Sequence, residues 1–374
     1  MRVINPPRGL AGIAALSYNH GITVSFDIKI KEDSPMHMAD ALLSPVVGGV
    51  MCAVSAGAVA YSMVKVKKDE LCEKKVPIMA VAGAFVFAAQ MINFTIPATG
   101  SSGHIGGGIL LAGLLGGFPA FLTLTTVLII QCLFFADGGL LALGCNIFNI
   151  ALFPCLIVYP ILFRPLLKKN ISYSRLMLMS IVSVVVALQL GAFSVVVQTA
   201  ASGVSELPFG TFVLLMQPIH LAIGVIEGIV TGAVLCFVYK MRPELMDSTL
   251  RGSKIGDGVS LKKVVVVIAV SALLIGGGLS LFASANPDGL EWAIEKVAGT
   301  TELEAQGKVL EGAAAAQEKT AFMPDYEYAA ADEEGSSTGT SVAGIVGGAM
   351  TFVLAGAVGL IISRVKKKKS AAKV

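Results

Sequence analysis

Charge is scarce in this chain of 374 residues: only 14% are Asp, Glu, Lys or Arg, where a soluble domain carries about 25%. That shortage excludes an ordinary water-soluble fold for most of the length. No CxxC pair occurs, which removes the usual zinc-ribbon and dithiol redox chemistries. Cys52, Cys132, Cys145, Cys155 and Cys236 instead lie within or beside apolar runs and Cys72 in a polar stretch, as scattered small packing residues do. Neither HExxH nor GxxxxGK[ST] is present. Without a phosphate loop the chain hydrolyses no nucleotide, so any energy-consuming work is powered by partners.

Apolar residues fill the space that charge leaves. They make up 55% of the chain, with a mean hydropathy of +0.79. Runs of about twenty apolar residues recur, the length that a bilayer core of about 30 Å demands of a helix. Nine segments qualify as spans: 44–64, 76–96, 105–117, 119–136, 143–163, 176–200, 209–239, 263–283 and 342–363. The third is short and reads as oblique or partly buried in protein. After residue 36 the basic residues fall almost wholly behind odd-numbered spans, 21 against 3. Cytoplasmic loops hold the Lys and Arg, so the stretch before the first span is placed outside and the C-terminus inside. The reading is an all-α polytopic membrane protein.

The spans divide into two parts. Residues 36–240 form a seven-span unit with short loops, followed by a basic cytoplasmic linker, 241–262. Residues 263–363 form a helical pair around a long external loop, 284–341, and 364–374 are a basic cytoplasmic tail. The loop holds twelve acids against three lysines. Its Ala-rich, acidic part from Glu311 to Gly335 reads as a solvated linker, and its charge as a means of staying soluble rather than of gathering cations. Trp292 fits an interfacial anchor.

Only four histidines exist, His20, His37, His104 and His220. The topology puts His37 and His104 on the same outer face, each among turn residues. Neutral imidazole suits Ni, Cu, Zn and Co. The glycines around His104 allow close backbone approach to a small ligand, although glycines also serve helix packing in membranes.

Five blocks carry a family resemblance. Met36-His37-Met38-Ala39-Asp40-Ala41-Leu42-Leu43-Ser44-Pro45, Thr99-Gly100-Ser101-Ser102-Gly103-His104, the run from Phe135 through Asp137-Gly138-Gly139 to Asn149, and His220 to Gly228 resemble, in order, the CbiM/NikM family. That family comprises the cobalt and nickel capture (S) components of energy-coupling-factor transporters. Pro287-Asp288-Gly289-Leu290-Glu291 is similar to the signature of the small CbiN/NikN component, here fused behind the first. The resemblance implies a seven-helix S-component bundle plus two additional transmembrane helices, in the inner membrane. It implies a CbiQ/NikQ-like transmembrane coupling subunit and CbiO/NikO-like ATPase subunits as partners, and Ni(II) or Co(II) as substrate, for cobalamin synthesis or nickel enzymes. It also implies the ligands: the Met36 terminal nitrogen, the His37 amide and imidazole, and His104. Fused chelate rings of that kind are planar and favour Ni(II) or Cu(II), and accommodate Co(II). Mg and Ca want oxygen and are poorly served. The family usually has Ile-Pro after the Met-His pair, where this chain has Met38-Ala39.

Other polar residues support those ligands. His220 and Glu227 are seven apart within one span, hence on one helical face, and read as outer or structural partners of the site rather than direct ligands. Asn146, Asn149 and Gln131 read as hydrogen bonders between helices. Asp137-Gly138-Gly139 is a turn by composition, and its carboxylate can orient His37 or His104 from behind. Ala53 and Gly57 form a small-residue pair, equally suited to another subunit or to packing within the chain. A rival reading takes Gly100-Ser101-Ser102-Gly103 for the element of a rhomboid-like intramembrane serine protease, with Ser102 as nucleophile and His220 as base. It leaves His104 unexplained.

Residues 1–35 read as a misassigned or non-native extension. Arg2 and Arg8 precede only a brief apolar stretch, and a charged run ends at Pro35 without a signal-cleavage pattern. The terminal amine at Met36 is expected from translation that starts there; proteolytic exposure of Met36 and an altered metal site are the alternatives. Intact-mass measurement or terminal sequencing of the native protein is expected to find Met36 first; a chain beginning at Met1 that still bound nickel tightly would remove the Met36 nitrogen from the ligand set.

Overall fold

The computed structural model describes residues 13–18, 22–27, 37–68, 72–205, 207–253, 260–301, 303, 307–327 and 337–371. Met36 and His20 lie outside these. The chain separates into two units, Met1–Ser34 and Pro35–Val374. In the first, β1 (Ile13–Tyr18) pairs antiparallel with β2 (Ile22–Asp27), Ile13 opposite Asp27 and Tyr18 opposite Ile22.

The second unit is built of helices. They are α1 (Pro45–Lys68), α2 (Cys72–Gln90), α3 (Gly108–Leu115), α4 (Gly117–Phe135) and α5 (Leu143–Asn146), which continues as a π-helical stretch Ile147–Phe163 into α6 (Arg164–Lys168). There follow α7 (Tyr173–Ser202), α8 (Phe209–Met241), α9 (Pro243–Arg251), α10 (Lys262–Gly277), α11 (Gly289–Ala298), α12 (Lys308–Thr320) and α13 (Ser337–Ala371). Every segment expected to span is helical for most of its length. Among the described residues, six helical segments are long and apolar enough to cross a membrane: Pro45–Val66, Gly117–Phe135, Leu143–Lys168, Tyr173–Ser202, Phe209–Met241 and Thr338–Ile362. The chain is an all-α polytopic membrane protein.

Three expectations shift. The second span ends at Gln90, and its last residues join a short antiparallel pair, β3 (Phe94–Ile96) with β4 (Ser101–Gly103). Gly100 precedes β4 and Gly103 ends it; Gly100 has φ +74°, which a side chain resists. The stretch read as a basic linker opens with α9, whose Leu245, Met246 and Leu250 are fully buried. The acidic loop is not simply solvated: α12 and a 3-10 turn, Pro324–Tyr326, pack onto α4 and bury Leu310, Gln317, Met323 and Tyr326.

Burial orders the bundle. The spanning segment of α4 is 72% buried and that of α1 only 17%, so α4 is the axis and α1 a peripheral helix facing lipid. α7 and α8 pair along their length, and α10 and α13 flank α2. In the membrane no hydrophobic force drives helices together, so close backbone approach through small residues carries the packing. At Gly144 an added Cβ would collide with the backbone of Met51 and Cys52, and the Ser55 hydroxyl donates to the Gly144 carbonyl at 2.6 Å. Nothing faces Gly57 within 4 Å, which leaves the Ala53–Gly57 pair on an open surface. Gly144→Ala is therefore expected to destabilise the fold by about 1–3 kcal/mol, read as a lower melting temperature in detergent, while Gly57→Ala leaves it nearly unchanged.

Candidate metal-capture site

A turn of the chain after α4 sets the site. Ala136 (φ +55°) caps α4 in the left-handed region and Gly138 (φ +78°) follows, so the helix stops and the chain reverses. Gly138 and Gly139 leave room for the segment 37–43: a Cβ at 139 would overlap the Asp40 carboxylate, and one at 138 would stand 2.9 Å from His37 Cβ. The segment is laced to the turn by polar bonds. Gly139 N–H donates to the Met38 carbonyl at 3.1 Å, and Ala142 N–H donates to Asp40 Oδ1 at 2.7 Å. Asn146 grips Met38 on both sides, accepting its N–H and donating to its carbonyl, each at 3.1 Å. Met38, Leu42 and Leu43 fill a small core with Ala142, Phe212 and Leu290.

His37 is fixed by this lacing. Asp137 Oδ1 accepts its backbone N–H at 3.1 Å and Oδ2 accepts from Nδ1 at 2.8 Å, with both side chains almost fully buried. A carboxylate only accepts, so Nδ1 carries a proton, and Nε2 offers a lone pair whenever the ring is neutral. That Nε2 is buried and has no hydrogen-bond partner. Burial pushes the His37 pKa down, but the adjacent Asp137 charge and its hydrogen bond outweigh this and hold it above the usual value. Burial, the largest single effect, pushes Asp137 up, but His37, the Tyr326 hydroxyl and His104 together hold it below its usual value.

His104 comes from the β4 side. Its ring stands edge-on to His37 with 5.5 Å between centroids. With metal–nitrogen bonds of about 2 Å, rings at this separation can share one ion. Both line a cavity of about 130 Å³ that also touches Asn146, Asn149, His220, Glu227 and Asp288. Among the described residues no group of three or more His, Cys, Asp or Glu side chains is placed to hold a metal ion.

The remaining expected residues surround the pair. His220 Nδ1 donates to the Met216 carbonyl at 2.8 Å, and Glu227 accepts the Gly107 N–H at 2.9 Å. Both face the cavity from α8, as their seven-residue spacing requires. Asn149 and Gln198 exchange amide hydrogen bonds between helices at 2.8 and 3.1 Å, and Gln131 donates to Gln90 at 2.9 Å. Asn146 works differently from the expectation: it holds the backbone beside His37. The planar chelate implied for His37 meets a further difference. A ring through its amide and imidazole needs Nδ1, and both of those atoms are engaged by Asp137.

The fused segment reaches the site at two places, and its Pro-Asp-Gly-Leu-Glu run has a local physical reason. Asp288 caps α11, accepting from the N–H groups of Leu290 and Glu291 at 2.8 and 2.9 Å, and Glu291 accepts the Asp288 N–H at 3.0 Å. This is a reciprocal capping box. Gly289 lies where a Cβ would crowd Ile223 and His220, and Leu290 enters the small core. The Pro287 carbonyl accepts from Ser102 N–H at 2.7 Å and the Asn286 carbonyl from Ser102 Oγ at 2.8 Å. Ser102 is thus a docking residue and not a nucleophile. Trp292, expected as a lipid-interface anchor, instead donates from Nε1 to the Thr99 carbonyl at 3.0 Å. At the second place, Gln317 donates to the Cys132 and Gly138 carbonyls at 2.9 and 2.7 Å, and the Tyr326 hydroxyl donates to Asp137 Oδ2.

Comparison with known proteins agrees with this architecture. Residues 37–245 match the CbiM family, described as the cobalt uptake substrate-specific transmembrane region. The chain belongs to the CbiM family. Residues 262–364 match the PDGLE domain, so this CbiM-family member carries that domain in the same chain. It is 33% identical over 228 residues to a protein of Haloquadratum walsbyi described as a metal transport protein, covering 60% of this chain and all of that one. It is 29% identical over 322 residues to a protein of Archaeoglobus fulgidus described as a fused nickel transport protein, covering 85% of this chain and 96% of that one. The crystal structure of a transition metal transporter is 28% identical, with a TM-score of 0.49, over 58% of this chain and all of that chain. The CbiM-family member is a metal-transporter component, and the protease reading falls away.

Asp288 and Tyr326 are the site residues that sequence reasoning missed. Asp288 stood in a recognised motif but had no role; the available signal was Asp three before Glu at a helix start. Tyr326 lay in the stretch read as solvated, where Phe322-Met323-Pro324-Asp325-Tyr326 breaks an Ala- and Glu-rich run. Burial pushes Asp288 up to about 6, against the two capping N–H groups that lower it. A raised carboxyl pKa means that the folded chain holds a proton the unfolded chain has lost. The stabilisation is complete at acid pH and is lost as pH rises through about 6. Asp288→Asn keeps a capping acceptor and removes the buried charge; the metal-free variant is expected to be more stable than the parent at pH 8 by about 1–3 kcal/mol, with the difference shrinking as pH falls through about 6 and vanishing below the ordinary value of 3.8 in thermal melts.

Proposed function

We propose that this protein captures Ni(II) or Co(II) at the outer membrane face and releases it inward as the substrate-binding component of an energy-coupling-factor importer. The observation that carries the reading is the meeting of His37 and His104, from segments 67 residues apart in sequence, over a buried cavity into which His37 turns a partnerless Nε2. A buried imidazole nitrogen without a partner is costly, and a metal ion resolves that cost.

The metal is the cargo. His37 Nε2 and a His104 ring nitrogen are its two imidazole donors, and Asp137 holds the far side of the His37 ring, as carboxylates do behind metal-bound histidines. The Met36 nitrogen is the third donor when it is a free amine. Nitrogen donors select against Mg and Ca, which require oxygen. Nickel and cobalt share this donor set, so the same site serves cobalamin synthesis or nickel enzymes according to supply. Asn146, Asn149, His220 and Glu227 shape the cavity around the ion. The charge bias of the loops places the site outside and the basic tail in the cytoplasm, in the inner membrane. With no phosphate loop in the chain, a CbiQ/NikQ-like coupling subunit and CbiO/NikO-like ATPases supply the driving energy.

His37→Ala and His104→Ala are each expected to lower Ni(II) or Co(II) affinity of the purified protein by at least about 100-fold and to abolish uptake, with unchanged membrane insertion. Near-parental affinity in either variant removes that residue from the site. Ser102→Ala is expected to keep most of the uptake. Affinity is expected to rise with pH through the His37 titration, because the imidazolium has no lone pair to give and its pKa lies above the usual value.

A further inference from the structure

The fused external loop places one side chain on the carboxylate behind the metal site. Tyr326 is 6% exposed, its ring stacks on Phe135 with centroids 5.0 Å apart and planes 22° from parallel, and its hydroxyl donates to Asp137 Oδ2. The same oxygen accepts from His37 Nδ1. A continuous chain of hydrogen bonds therefore runs from the loop through Asp137 to the imidazole that faces the cavity.

The backbone is bent to make this contact. Asp325 and Tyr326 have φ of +50° and +66°, a left-handed conformation that aspartate tolerates but a tyrosine resists. Strained residues persist where the surroundings over-determine them, and they gather at functional sites. Here Gln317 ties the loop to the Gly138 carbonyl at 2.7 Å, Phe322 N–H donates to the Phe134 carbonyl at 3.1 Å, and the Phe322 ring packs on Phe135 at 5.4 Å. All these contacts converge on the turn that carries Asp137. Packing alone explains the rings; it does not explain a phenol aimed at a fully buried carboxylate that already serves His37.

We propose that Tyr326 is a positioning residue for the metal site: its hydroxyl fixes the Asp137 carboxylate against His37, so that docking of the fused loop sets how well the His37 imidazole is oriented for metal. The inference rests on the assignment of His37 as a ligand. Tyr326→Phe keeps the stack on Phe135 and loses only the hydroxyl. In the purified full chain, with Ni(II) or Co(II) alone as probe and a competing chelator as readout, Tyr326→Phe is expected to weaken binding about tenfold and to shift the Co(II) visible spectrum, which reports the ligand field and not the packing. On an Asp137→Asn background the same change is expected to cost almost nothing further, because residues acting through one another are not additive. Parental affinity and an unchanged spectrum in Tyr326→Phe would overturn the proposal, as would a full tenfold penalty on the Asp137→Asn background. If Tyr326→Phe melts well below the parent, Gln317→Leu, which loosens the loop without removing a donor to Asp137, is compared: equal weakening and an equal spectral change in both variants would reduce Tyr326 to a loop anchor and overturn the positioning role. Parental binding in His37→Ala overturns the ligand assignment instead, and is read separately.

Discussion

The buried contact between His37 and Asp137 is the constraint around which the rest of the structure is arranged. A carboxylate with no solvent exposure must be satisfied entirely by protein donors, and removing one such donor leaves an uncompensated charge. Asp137 has three: the His37 N–H, His37 Nδ1 and the Tyr326 hydroxyl. The two residues that supply them, His37 and Tyr326, lie far from Asp137 and from each other in sequence. The left-handed Ala136 and Gly138 turn α4 sharply enough to present the carboxylate inward, and the 37–43 segment is held against that turn by Met38, Asp40 and Asn146. The glycines at 138 and 139 exist for the same reason, since a side chain at either would push the segment away.

The helices were legible because the bilayer imposes a length and a composition that few other environments demand. Even so, α10 has only 16 residues and α2 only a short apolar stretch, Lys75–Gln90, so neither is among the helices long enough to cross a membrane. The two imidazoles were legible because so few histidines exist. Asp137 was legible as an acid in a glycine turn, but not which histidine it held, because that depends on a turn with two positive-φ residues. What stayed hidden is tertiary in origin. The Glu311–Gly335 stretch has the composition of a solvated linker, and only the docking of Gln317, Phe322 and Tyr326 on α4 overrides that composition. Trp292 has the composition of an interface anchor, and the Thr99 carbonyl claims its N–H instead.

Fusion of the two parts has a physical consequence at the site. The external loop touches both turns that bear the histidines: the Asn286 and Pro287 carbonyls take Ser102 beside His104, and Gln317 with Tyr326 takes the Asp137 turn beside His37. As a separate chain, such a loop would pay for association at both places. Tethered through α10 and α13, which pack on α2, the second contact forms at the high effective concentration that linkage provides.

On the proposed function, the double engagement of His37 bears on which of its nitrogens a metal would meet. Asp137 takes the amide N–H and Nδ1 together, the two atoms that a chelate ring through backbone and side chain requires. A metal that used them would have to displace a buried carboxylate from two charge-assisted hydrogen bonds and also remove the amide proton. Nε2 asks for neither, since its lone pair already faces the cavity and the Asp137 bond at the far nitrogen strengthens it as a donor. On that proposal a metal would gain the Nε2 imidazole nitrogen first. The chelate through the amide becomes competitive only where a free amine at Met36 adds a further nitrogen to repay the loss of Asp137.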